Sequence, residues 1–154
     1  MTPREAFTVV DRFARDEEID QLLVDLLRYS SPQTERLEAD PQLKKFIADG
    51  VAPRLAELTG SAGAIDAMGN LIWRLGGASA GGFLLMGYAM TFPAASMKQP
   101  FSGALVDGNP FGVAGQCALG RGACEQKGAL AVMIYAAAIV ARARLALRGP
   151  LILA

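Results

Sequence analysis

Hydrophobic positions in the first sixty residues recur at helical spacing. Between residues 7 and 27, apolar side chains lie three or four positions apart, and the charged side chains occupy the other faces. A second apolar stretch follows Asp40-Pro41, and a third ends at Thr59-Gly60. No alternating strand pattern of useful length is present in this part of the chain. The pattern therefore predicts a small all-helical head over residues 1–72.

The second half of the chain has a different pattern. Residues 75–95 carry no charge, and this run is close to the length of helix that crosses the hydrocarbon layer of a membrane. A second apolar run, residues 128–141, approaches that length if its helix continues to Leu147. We therefore predict an all-α fold in which residues 73–154 form a two-helix transmembrane hairpin behind the helical head.

Small residues in the first predicted span favour close packing of the two helices. Gly77 and Gly81 are four residues apart, as are Gly76 and Ala80. This spacing lets helix backbones approach each other closely in lipid. The alternative is a glycine-rich loop or a buried helix of a soluble protein.

Residues at the ends of the predicted spans suit the membrane–water interface. These predicted anchors are Trp73, Arg74, Arg142 and Arg144. The positions of Lys and Arg beside the spans predict a bacterial inner-membrane protein with both termini in the cytoplasm and residues 96–127 on the far side. The charged start of the chain has no apolar segment, so no secretory signal is expected.

Two cysteines, Cys117 and Cys124, lie in the loop between the predicted spans. Their spacing can close a small loop, and the predicted topology places that loop in an oxidising compartment. A disulfide is therefore expected. The alternatives are two reduced thiols, or half of a four-cysteine metal site shared between subunits.

Composition and motifs exclude several functions. Fifteen basic and fifteen acidic side chains leave no basic surplus, so no nucleic-acid partner is expected. The chain has no histidine, which removes histidine-based nucleophiles and metal sites. Residues 77–81 match the G-x-S-x-G pattern of serine hydrolases, but Ser79 has no histidine base. We predict no catalysis and no cofactor.

In its order of polar and apolar segments, the stretch 72–147 resembles the small two-span inner-membrane subunits of type IV secretion and conjugation machines. The resemblance implies an assembly role in an envelope complex, with membrane lipid and either further copies of the chain or other membrane subunits as partners. Conjugative pilins of this layout carry a signal peptide, which is not expected here. Two alternatives remain open: a holin-like or pore-forming membrane permeabiliser, and a soluble all-helical interaction protein.

Overall fold

The computed structural model describes residues 2–77 and 81–154, and they form a mixed α/β fold. The helices are α1 (Pro3–Phe13), α2 (Asp16–Leu27), α3 (Pro41–Lys45), α4 (Ala52–Thr59) and α5 (Gln126–Arg142). The strands are β1 (Ala64–Ile65), β2 (Leu71–Leu75), β3 (Phe83–Leu85), β4 (Ala104–Asp107), β5 (Gln116–Leu119) and β6 (Leu151–Leu153). The helices are mainly in the first half, and strands follow from residue 64 onward.

Polar side chains start the helices of the first half. The N–H of Glu5 donates to the Thr2 hydroxyl at 3.3 Å, and the N–H of Thr2 donates to the Glu5 carboxylate at 2.7 Å. This reciprocal pair is a capping box at the start of α1. The Asp40 carboxylate accepts from the N–H groups of Gln42 and Leu43 at the start of α3. Helices are thus present where the spacing of apolar positions predicts them.

A π-helical turn, Phe46–Val51, joins α3 to α4. Within it the N–H of Ala52 bonds to the carbonyl of Ile47, five residues earlier. Pro53, the next residue, has no N–H to offer the carbonyl of Asp49. The Tyr29 hydroxyl donates to that carbonyl at 3.0 Å instead. The Asp49 carbonyl is therefore paired despite the proline.

The main sheet has four strands in the order β1-β2-β6-β3. The end of the chain supplies an inner strand: β6 pairs antiparallel with β2 and parallel with β3. Leu151 and Leu153 of β6 point into the protein interior, while Ile152 between them is partly exposed. A separate antiparallel hairpin, β4-β5, packs against α2. At its base, a Cβ on Gly103 would lie 2.4 Å from the Val24 carbonyl, so only glycine fits there.

One hydrophobic core joins both halves of the chain. From the first half it takes residues such as Leu22, Leu26 and Phe46, and from the second half Ile134 of α5 and Leu153 of β6. α5 packs against α1, α2, α4 and β6, which makes it the central helix of the fold. A helix that is apolar on most of its surface is expected in such a place.

The predicted all-α fold is wrong, because the protein contains two sheets. In the stretch predicted as the first span, Gly76 has φ +94° and Gly81 has φ +83°. These left-handed conformations are incompatible with a continuous helix. Part of the stretch instead forms β3, which pairs with β6 at the far end of the chain.

The prediction of membrane spans is also corrected. Among the helices in residues 2–77 and 81–154, none combines the length and the apolar character that crossing a membrane requires. α5 has 17 residues, which give about 26 Å of helix against a hydrocarbon layer about 30 Å thick. The transmembrane hairpin and the inner-membrane location that depended on it are contradicted by this finding.

Candidate functional site

The residues predicted as interface anchors have other partners in the structure. Trp73 is buried in the middle of β2, and its indole N–H donates to the Ser61 hydroxyl at 2.8 Å. Arg74, the next residue, is exposed and donates to the carbonyl of Gly77 at 2.8 Å. Successive residues of a strand point to opposite faces. The Trp-Arg pair therefore reflects a sheet with one buried face.

Arg142 joins the end of α5 to α2 and α4. Its guanidinium donates to the Glu18 carboxylate at 2.6 Å and to the Leu58 carbonyl at 3.2 Å. The Tyr135 hydroxyl lies 3.1 Å from the same Glu18 oxygen. The hydrogen bond from Arg142 holds the pKa of Glu18 below its ordinary value, and burial raises the pKa of Tyr135. Arg144 lies exposed in the turn after α5, at φ +49°.

The small residues predicted to pack two helices together are not in a helix where the structure describes them. Gly76 and Gly77 follow β2, and Gly81 precedes β3. Ala80 lies outside the described residues. The described glycines therefore belong to the connection between two strands.

The predicted disulfide is contradicted, since both cysteines are free thiols. Cys117 is half-buried in β5, and Cys124 is exposed in the turn before α5. The prediction depended on an oxidising compartment that followed from the membrane topology. In the described residues no group of cysteines and acidic side chains is arranged to hold a metal ion.

Lys127 is a fully buried cation in the first turn of α5. Its ammonium group donates to the carbonyl of Tyr29 and lies 4.7 Å from the centre of the Phe46 ring and 5.8 Å from that of Phe101. Burial lowers the pKa of Lys127 to about 8. The carbonyl and the two rings provide the partial negative charge that faces this cation. These contacts link α5 to the segment after α2.

The most distinctive surface of the molecule is the outer edge of β3. We define the β3 edge surface as Phe83, Leu84, Met86 and Tyr88. These side chains are 65%, 55%, 76% and 45% exposed. A fully exposed large side chain presents about 200 Å², so the four together expose about 500 Å². Because successive strand residues point to opposite faces, this apolar area is shared between the two faces of the strand. Exposed apolar area that is concentrated at one sheet edge favours an interaction site.

The backbone of this surface is also available for pairing. The N–H groups of Phe83 and Gly87 donate to carbonyls of the β6 segment, and the carbonyl of Leu85 accepts from Ala154. Alternate residues of a strand direct their N–H and C=O groups to opposite sides. Leu84 and Met86 therefore direct theirs away from β6. β3 is the last strand of its sheet, so in the described part of the chain no further strand pairs with these groups.

The other edge of the sheet, β1, is protected against pairing with a further strand, as sheet edges in natural proteins usually are. β1 has two residues and is followed at once by Asp66, whose carboxylate closes a turn by accepting from Met68 and Asn70. Short strands and charges prevent unwanted pairing. β3 is also short, with three residues, but it lacks the protection of charge, since the sequence carries none between Arg74 and Lys98. An edge of this kind is normally covered in the working state of a protein.

A partly enclosed apolar cavity of about 160 Å³ lies where α3, α5, β2 and β6 meet. Its apolar wall includes Leu43, Ile47, Leu71, Leu130 and Leu153. The segment 87–90, directly after β3, forms another side. The cavity is partly open to solvent, so a molecule can enter it from outside.

Sequence reasoning missed both features, although a signal for the first was present. The apolar side chains at residues 83–88 were interpreted as facing lipid, and the glycines around them as helix contacts. A long uncharged run that contains several glycines is also typical of a short, exposed strand between turns. The cavity has no local signal, because its lining comes from five separate parts of the chain.

Comparison with known proteins adds no further constraint. No protein-family model, no curated protein and no solved structure matches this chain.

Proposed function

We propose that the chain is a non-catalytic assembly protein that self-associates through the β3 edge surface. The observation that carries the proposal is an unpaired strand edge that is apolar on both of its faces. Neither charge nor proline protects this edge. A second strand placed against it satisfies the outward N–H and C=O groups and gives the apolar side chains cross-strand neighbours that cover part of their surface.

A second copy of the chain fits this edge in a definite register. When two β3 strands run antiparallel about a two-fold axis through Leu85, Leu84 of each copy faces Met86 of the other. Both residues direct their N–H and C=O groups away from β6, so each Leu84–Met86 pair exchanges two hydrogen bonds. The contact is isologous, and the two four-stranded sheets join into one of eight strands.

The exposed area agrees with the requirement of a stable dimer. A standard interface buries about 800 Å² on each partner, of which about 65% is apolar in homodimers. The β3 edge surface supplies about 500 Å² of apolar area by itself.

Analytical ultracentrifugation of the full chain tests the proposal. We expect a concentration-dependent dimer for the natural sequence. Met86→Lys places a charge in the centre of the pairing surface and is expected to weaken the dimer at least tenfold. Leu84→Pro removes one outward N–H without touching a bond to β6, and is expected to have a similar effect.

Val132→Lys is the matched control. Val132 is 57% exposed on α5, outside the β3 edge surface. The same charge at that position is expected to leave the dimer unchanged. A chain that stays monomeric at about 0.1 mM protein would contradict the proposal. A dimer that neither Met86→Lys nor Leu84→Pro weakens would contradict it as well.

A further inference from the structure

We propose that the apolar cavity beside α3 is a binding site for a neutral, mainly apolar molecule of about the size of a substituted benzene ring. The cavity measures about 160 Å³. A dry apolar cavity of about 150 Å³ in another protein is large enough to hold benzene. A ligand of six to ten heavy atoms therefore matches the space (about one ring and a short substituent).

The lining consists of a firm base and an adjustable rim. Leu71, Leu130 and Leu153 form the base and are fixed in the hydrophobic core. Met68 and Met90 lie on the rim, and Met68 is largely exposed. Methionine adapts its shape to what it contacts because its chain is unbranched and flexible. The site can therefore close over a ligand without rearrangement of the core.

The charges around the cavity favour a neutral ligand. The charged residues that line it are Glu38 and Lys44, which carry opposite signs. Their side chains therefore present no net charge that would select an anion or a cation. An ionic ligand would also have to lose its water in a mainly apolar space, at a cost that these two groups do not offset.

One polar group in the lining could fix the orientation of the ligand. The Tyr88 hydroxyl donates to the sulfur of Met90 at 3.8 Å. A thioether is a weak acceptor. An alcohol or carbonyl oxygen on the ligand would be a stronger acceptor for the same hydroxyl, so a ring with one oxygen substituent suits the site best.

Titration of the full chain with three ligands of similar shape tests the proposal: benzyl alcohol, benzoate and benzylamine. The readout is the change of amide chemical shifts in two-dimensional NMR spectra. We expect saturable binding of benzyl alcohol with a dissociation constant of about 1 mM or less. Both ions are expected to bind at least tenfold more weakly. Absence of saturable binding, or preference for either ion, would overturn the proposal.

Variants locate the binding in the cavity. Ala89 lines it, so Ala89→Phe should fill part of the space and weaken binding of benzyl alcohol at least tenfold. The matched control is Ala136→Phe at an exposed position of α5, where we expect less than a twofold change. Equal binding by the natural chain and a folded Ala89→Phe variant would place the ligand elsewhere and contradict the proposal.

A second variant keeps the test informative if Ala89→Phe fails to fold. Ile47→Ala enlarges the cavity from the α3 side. It should bind 2-naphthalenemethanol at least tenfold more tightly than the natural chain does, because the second ring then has space. An unchanged affinity for this larger alcohol would contradict the assignment.

Discussion

The buried Lys127 is the residue whose environment departs furthest from what its type prefers. Lysine is rarely fully buried unless it is paired. Here it also lies in the first turn of α5, where the helix dipole opposes a positive charge. The Tyr29 carbonyl and the Phe46 ring compensate for part of this cost. The lowered pKa, about 8, shows that the compensation is incomplete.

This environment predicts how stability depends on alkaline pH. The pKa of Lys127 is about 8 in the folded protein, whereas the ordinary value of 10.5 applies to the unfolded chain. Between these values the unfolded chain binds more protons than the folded one, so the free energy of unfolding rises with pH. The rise is at most about 3 kcal/mol. Urea unfolding at pH 7.5, 9 and 10 measures it.

Lys127→Met should remove this rise, because the titrating group is gone. Lys98→Met is the matched control: Lys98 is exposed, and its loss should leave the pH dependence of the natural chain in place. A rise that persists in Lys127→Met would show that another group causes it.

At the scale of elements, the helices of the first half could be predicted and the strands could not. A helix is determined by local spacing and by caps such as Asp40, which the sequence shows directly. β3 has three residues and exists because it pairs with β6, nearly seventy positions later in the chain. Hydropathy alone does not reveal such a partner. It also cannot distinguish a helix central to a core from one in lipid, which explains the error over α5.

Only part of the candidate site could be predicted from the sequence. Phe83, Leu84 and Met86 lie in the uncharged run 75–95, which the sequence predicts to be covered by lipid. The prediction of a membrane span for this run is wrong. The cavity and the buried contacts of Lys127 could not be predicted, because both form only when distant segments meet. The disulfide prediction failed because it rested on a compartment and not on geometry.

The connection between α5 and α2 allows a prediction at the element scale. Arg142→Met removes the bonds to the Glu18 carboxylate and the Leu58 carbonyl. Since the pair is partly exposed, we expect a loss of about 0.5–1 kcal/mol of stability at pH 7. Arg144→Met, two residues further in an exposed turn, should change stability by less than about 0.5 kcal/mol. Thermal unfolding followed by circular dichroism compares the two.

The same contact has an acid dependence of known sign. The pKa of Glu18 is lowered in the folded protein, mainly by its hydrogen bond with Arg142. Its contribution is therefore complete above the unfolded value of 4.5 and is lost as the pH falls through the folded pKa. The difference in stability between the natural chain and Arg142→Met should shrink below pH 4.5. A constant difference would mean that the bond to Leu58 accounts for the whole effect.

For the whole molecule, the decisive fact is that residues on both sides of position 72 share one core. Trp73 is buried in this core, and Ile134 and Leu153 belong to it together with Leu22 and Phe46. A core shared in this way makes the folding of each part depend on the other. The helices of the first half are too short to be stable alone.

We therefore expect the chain to unfold in a single transition. Trp73 is the only tryptophan, so its fluorescence reports on the sheet, whereas far-ultraviolet circular dichroism reports mainly on the helices. The two signals should give the same urea midpoint. Ile134→Ala, at a fully buried position of α5, should lower both midpoints together and cost about 2–5 kcal/mol. Val132→Ala, on the exposed face of the same helix, should leave both urea midpoints unchanged. Two separate midpoints in any of these proteins would show instead that the head folds independently of the rest.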